Sequence, residues 1–206
     1  RYAMKGAARG FEEVTGTDGE DAASAASRSV REAVERTRVG LLYQHLPQAL
    51  FVTAVNGALL VWILSGVVDR ATLTLWLTLL LSFSAARYGL ALTFRSENRA
   101  TFDAERWRTF FFNGAAVTAA LWGIAGVALF PADSVDHQAF IGFVLAGMSA
   151  GAVASFITSH AVFLAFIIPA CTPYALRMFE QGDPMQIAMG MMCLAFMAAM
   201  YMTSKK

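Results

Sequence analysis

From Pro47 onward, apolar positions fall into long runs separated by short polar breaks. The stretch Ala139–Met178 contains no Lys, Asp or Glu, and no Arg before Arg177. A spanning helix takes about 20 apolar residues, so this run predicts two spans. The turn between them falls at its only polar cluster, Thr158-Ser159-His160. The same reading places six spans at about 49–68, 71–94, 110–130, 139–157, 161–179 and 185–203. Polar breaks at Asp69-Arg70, Arg95–Thr109, Pro131–His137 and Glu180–Pro184 divide the others. The predicted fold class is all-α, a six-helix transmembrane bundle over residues 48–204.

Before Pro47 the pattern changes. Residues 1–27 are rich in Ala, Gly and Ser and hold few large apolar side chains. Little core can form there, which predicts a flexible cytoplasmic arm, or short helices joined by a loop. In residues 28–47, Val30, Ala33, Val34, Leu41 and Leu42 recur near helical spacing among Arg28, Arg31, Glu32, Glu35, Arg36 and Arg38. That predicts an amphipathic helix, either lying on an anionic inner leaflet or packed against a neighbour. Pro47 is expected to end it, because proline removes a helical N–H and crowds the preceding turn.

Composition strengthens the membrane reading. Of 206 residues, 57% are hydrophobic and 15% charged, against roughly 25% charged in soluble domains. The net charge of +1 gives no argument for a nucleic-acid partner. Cys171 and Cys193 both lie in apolar runs, so no disulfide framework is implied. No secretory signal pattern precedes the first span. Because the chain starts with Arg1 and stops with Lys206 at a membrane edge, further residues are expected at both ends.

Charge also orients the bundle. One set of flanks carries Arg28, Arg31, Arg36, Arg38, Arg95, Arg99, Arg106, Arg108, Lys205 and Lys206; the other carries Arg70 and Arg177. Cytoplasmic loops concentrate Lys and Arg. Both termini are therefore expected in the cytoplasm, with a multi-pass membrane location.

Candidate chemistry is sparse. In the fourth span, Gly142, Ala146, Gly147, Ala150 and Gly151 line small side chains on a helix, an expected packing or dimer seam. Pro169 and Pro173 predict a kink in the fifth. Arg87 is the one cation well inside a span, where charge is costly, although it lies near enough to the inner end to snorkel. His45 and His160 sit at one depth on different helices and are candidate ligands for haem or another transition metal; the competing reading is two interfacial polar residues. Met185, Met189, Cys193 and Met197 recur every fourth residue. Soft ligands so placed suit Cu(I), but no second cluster faces them, which favours packing. The spans hold no mid-membrane Asp or Glu for a proton relay, and no internal repeat of the transporter kind.

A resemblance emerges from several motifs together. They are Leu42-Tyr43-Gln44-His45-Leu46-Pro47 leading to Asn56-Gly57, then Arg106-Trp107-Arg108, Gly114 and Leu121-Trp122-Gly123. Asp136-His137-Gln138-Ala139-Phe140, Leu145 to Ala152, Pro169 with Pro173, and Gly182-Asp183-Pro184 complete them. Residues 40–206 thus resemble the membrane-integral N-terminal sensor regions of bacterial diguanylate cyclases (GGDEF proteins) and of some sensor histidine kinases. The resemblance implies a six-helix module, usually dimeric, whose last helix continues into a cytoplasmic output domain. The chain contains no GGDEF or kinase motif of its own. The expected function is signal input, with a homodimer, membrane lipid and an output domain in the same polypeptide as partners. The alternatives are a haem- or metal-binding redox or gas sensor using His45 and His160, and a small transporter or channel.

Overall fold

The computed structural model describes the backbone of residues 3–97, 102–155 and 160–204, and side chains at 24, 26, 27, 30, 31, 33–97, 102–152 and 161–204. Its elements are α1 (Ala3–Leu64), α2 (Arg70–Ser96), α3 (Ala104–Ala128), α4 (Val135–Ser155), α5 (His160–Gln181) and α6 (Pro184–Ser204). No strand occurs among the described residues. Five stretches among them are long and apolar enough to cross a membrane: Ala33–Leu64, Arg70–Ser96, Ala104–Ala128, Ala161–Gln181 and Pro184–Ser204. This is a helical membrane protein. The expected span at 139–157 overlaps α4, which is not among these five stretches. The expected turn at Thr158-Ser159-His160 falls on residues 156–159 and the side chain of His160, outside the described residues.

The N-terminal reading needs correction. The chain divides into two compact units, Arg1–Gly40 and Leu41–Lys206. The first is helical from Ala3. Its alanine-rich, proline-free composition favours helix strongly enough to carry the chain through Gly16 and Gly19. Arg38 and Glu35 form an exposed ion pair at 3.2 Å, and Val30 and Val34 are exposed. The expected stop at Pro47 is absent, since α1 runs through it. Proline there costs one helical bond, at the carbonyl of Tyr43, and hydrophobic surroundings tolerate that where a break would expose more backbone.

The second unit builds its core from stripes at helical spacing. On α2, Leu73, Trp76, Leu80, Ser84, Arg87 and Ala91 are buried, three or four residues apart, so one face meets the bundle and the rest meets lipid. Asp69 caps α2: its carboxylate accepts from the Thr72 N–H at 3.0 Å and from the Thr72 hydroxyl at 3.2 Å. Gly182, at φ 78, makes the turn from α5 to α6 in the left-handed region that favours glycine. Pro184 follows at the first position of α6, where its missing N–H has no helical partner to lose.

The Asp69 cap yields a pH prediction. The Thr72 N–H, then the Thr72 hydroxyl, hold the Asp69 carboxyl below its ordinary pKa. A carboxyl lowered in the folded state contributes stability above its unfolded value, near 4, and loses it as pH falls through the folded value. A carbon-13 titration of Asp69 should therefore read below the ordinary carboxylate range, and Thr72→Ala should move it back up. An ordinary value in the unsubstituted protein would contradict the cap.

The two ends of the bundle are pinned differently. At one end Tyr43 stacks on Phe94 at 4.2 Å between centroids, meets Trp107 edge-on at 5.6 Å, and donates its hydroxyl to the Trp107 carbonyl at 3.2 Å. This aromatic end joins α1, α2 and α3. At the other, Gln138 is fully buried and joins the α3–α4 loop, α4, α5 and α6. In the middle α3 and α5 form the most extensive interface, with half of each spanning stretch buried. α5 is therefore central, and its main partner is α3, not the α4 that precedes it in the chain. The reason is closeness. Gly123 lies against the Pro169 carbonyl and the Pro173 ring, and Gly126 lies against Tyr174. α5 keeps both prolines inside one helix.

Candidate functional site

Toward the aromatic end, a cavity of about 410 Å³ opens between α1 and α4. That size falls within the range of small-molecule pockets, about 300–1,000 Å³. Its α1 wall comes from one face of residues 42–53, and its α4 wall from Gly147, Met148, Gly151 and Ala152. Arg87 from α2, Phe111 and Thr118 from α3, and Phe166 from α5 close it. His45, Gln48, Val52, Gly147 and Gly151 are exposed and form the rim, whereas Thr53, Arg87, Phe111, Thr118 and Phe166 are buried. The two glycines matter by what they lack: a Cβ added at either would meet nothing within 4 Å.

Arg87 is the only charged residue in the lining. It is 9% exposed. Its Nη1 donates to Thr118 Oγ1 at 3.0 Å, and Thr118 in turn donates to the Gly114 carbonyl at 2.9 Å. The guanidinium carbon lies 5.6 Å from the Phe111 ring centroid, a cation–π arrangement. Gly114 makes the room: a Cβ there would stand 2.8 Å from Arg87 Nε. Among the described residues no carboxylate pairs with Arg87. Guanidinium has five N–H donors, and one hydrogen bond with a ring face leaves the charge without a counter-ion. An intramembrane cation of this kind costs about 3 kcal/mol on insertion scales, which marks the site as more than filler.

The expected site residues scatter. Arg87 and His45 share the cavity, His45 on its exposed rim. The side chain of His160, the other expected haem ligand, lies outside the described residues. Among the described residues no group of three His, Cys, Asp or Glu side chains is placed to hold a metal. The small-residue stripe of α4 divides between two surroundings. Gly142 packs against the Tyr174 ring, and Ala146 is half-buried. Gly147, Ala150 and Gly151 are exposed, Gly147 and Gly151 on the cavity. Cys171 and Cys193 come together, the Cys193 thiol lying 3.9 Å from the Cys171 carbonyl, while Ser149 Oγ is 3.3 Å from Cys171 Sγ.

Sequence reasoning missed Thr53, Thr118 and Met148 as lining residues. Thr118 is a lone hydroxyl in the middle of an apolar run, which is the one signal that could have found it. Met148 is held by Asn56, whose Nδ2 donates to its sulfur at 3.1 Å. No family model, no curated protein and no solved structure matches the chain.

Proposed function

We propose that the chain is a signal-input module of a bacterial inner-membrane receptor. It crosses the membrane six times with both termini cytoplasmic, so that the aromatic end, flanked by Arg95, Arg106 and Arg108, faces the cytosol. The cavity receives a cue, and α6 passes the change to a cytoplasmic output domain, for which the resemblance favours a diguanylate cyclase making cyclic di-GMP. The module acts as a homodimer.

The observation that carries this reading is how α6 is held. Its buried residues, Gln186 and Gly190, both lie in its first two turns. Beyond Gly190 no described residue of α6 is buried. A helix anchored at one end and loose at the other can turn or slide at the loose end, and shifts of about 1–2 Å suffice in packed helical switches.

The test is helical phase. A diguanylate cyclase domain is fused after Lys206 through helical linkers lengthened one residue at a time over two turns. Cyclic di-GMP output should rise and fall with a period of about 3.6 residues. Output independent of linker length would refute transmission through α6.

A further inference from the structure

The cavity has a chemical character of its own. One buried cation stands at its inner wall, and its other polar groups, His45, Gln48, Thr53 and Thr118, carry no carboxylate among them. The remaining walls are aliphatic, aromatic or thioether. The rim lies between two helices, with Val52 exposed on one side and Gly147 on the other. In a bilayer, such a gap is reached sideways, from among the lipid chains.

We infer that this cavity binds a single-chain anionic amphiphile. Its anionic head pairs with the Arg87 guanidinium, and its apolar chain runs out past Val52 and Met148 between α1 and α4. Three features converge on that class. Arg87 lacks a carboxylate partner among the described residues, and a planar guanidinium matches carboxylate or phosphate oxygens. The buried surroundings strengthen an ion pair that water would weaken. The glycines at 147 and 151 keep the α4 side of the gap clear, since a Cβ at either meets nothing within 4 Å. A volume of about 410 Å³ suits one chain and not a diacyl lipid body. The inference rests on the signal-input reading only for its consequence: bound amphiphile is the cue that the module reports.

Calorimetric titration tests it. Decanoate is added to the protein in phosphatidylcholine nanodiscs, and protein-free discs are subtracted. Saturable one-site binding is expected, weakened about tenfold or more in Arg87→Gln and in part restored in Arg87→Lys, because each tenfold corresponds to about 1.4 kcal/mol and a buried ion pair exceeds that. Decanol should not displace decanoate. Gly147→Leu, which fills the gap without touching Arg87, should also abolish binding, so the inference stays testable if Arg87→Gln fails to fold. Doping the discs with phosphatidylglycerol, an anionic lipid with two acyl chains, should leave decanoate binding unchanged, and competition by it would overturn the single-chain assignment. Decanoate binding unchanged in Arg87→Gln, displacement by decanol, or full binding in Gly147→Leu would overturn it. Binding without any effect on the output of the phased fusions would instead sink the signal-input reading and leave this one standing.

Discussion

Gly123→Ala should destabilise the bundle by about 3 kcal/mol, at the upper end of what overpacking costs. The added methyl would collide with the Pro169 carbonyl and stand 3.1 Å from Pro173 Cγ. Neither neighbour can give way, one being backbone and the other a closed ring. The chemistry of the seam explains why the helices come so near. Pro173 has no N–H, so the Pro169 carbonyl loses its usual donor four residues on. Gly123 offers a Cα–H against that carbonyl, a weak hydrogen bond of the kind found where helices pack closely. Alanine would push α3 from α5 and loosen the buried layer of Ala115, Ala119 and Trp122 beside it. Reversible unfolding in mixed micelles of increasing sodium dodecyl sulfate measures the loss. Gly89→Ala is the control: a Cβ there meets nothing within 4 Å, and alanine favours helix over glycine. Equal stability of Gly123→Ala and the unsubstituted protein would show that the seam has room after all.

This seam illustrates what a one-dimensional pattern conveys. Span positions were legible because an apolar run without charge has one economical conformation in lipid; α2, α3, α5 and α6 fall within a few residues of the expected bounds, apart from the start of α3 at Ala104. Arg87 was legible as a cost that demands a reason. The partner of each helix was not. Small residues say that a close approach is allowed, and it was those of α4 that read as a seam. Yet Gly123 and Gly126 meet α5, whereas Gly147 and Gly151 border a cavity. The cavity draws on α1 to α5 together, so no local stretch could announce it. Pro47 misled for a related reason: the rule that proline ends helices is calibrated in water, where a freed carbonyl finds solvent at no cost.

Gln138→Leu is the second large effect, about 2–3 kcal/mol, and its origin can be isolated. Gln138 Nε2 donates to the Pro131 carbonyl at 2.9 Å and the Ala132 carbonyl at 3.1 Å, and its Oε1 accepts from Gln186 Nε2 at 2.9 Å. Its backbone carbonyl accepts from the Tyr174 hydroxyl at 3.0 Å, a bond that leucine would keep. Ala132 is exposed, so its carbonyl has recourse to water. Gln186 has none, being 2% exposed, and a stranded buried amide costs about 1–3 kcal/mol. Interhelical hydrogen bonds in membranes average only about 0.6 kcal/mol when both partners are removed. The double variant Gln138→Leu/Gln186→Leu should therefore be more stable than Gln138→Leu alone, because the stranded group is gone. A double variant whose loss equals the sum of the two single losses would show that the amides are not coupled. The same bond ties the start of α6 to the bundle. Weakening it should loosen the first turns of α6 as well, so the phase dependence of a fused output domain should flatten in Gln138→Leu and persist in the unsubstituted protein.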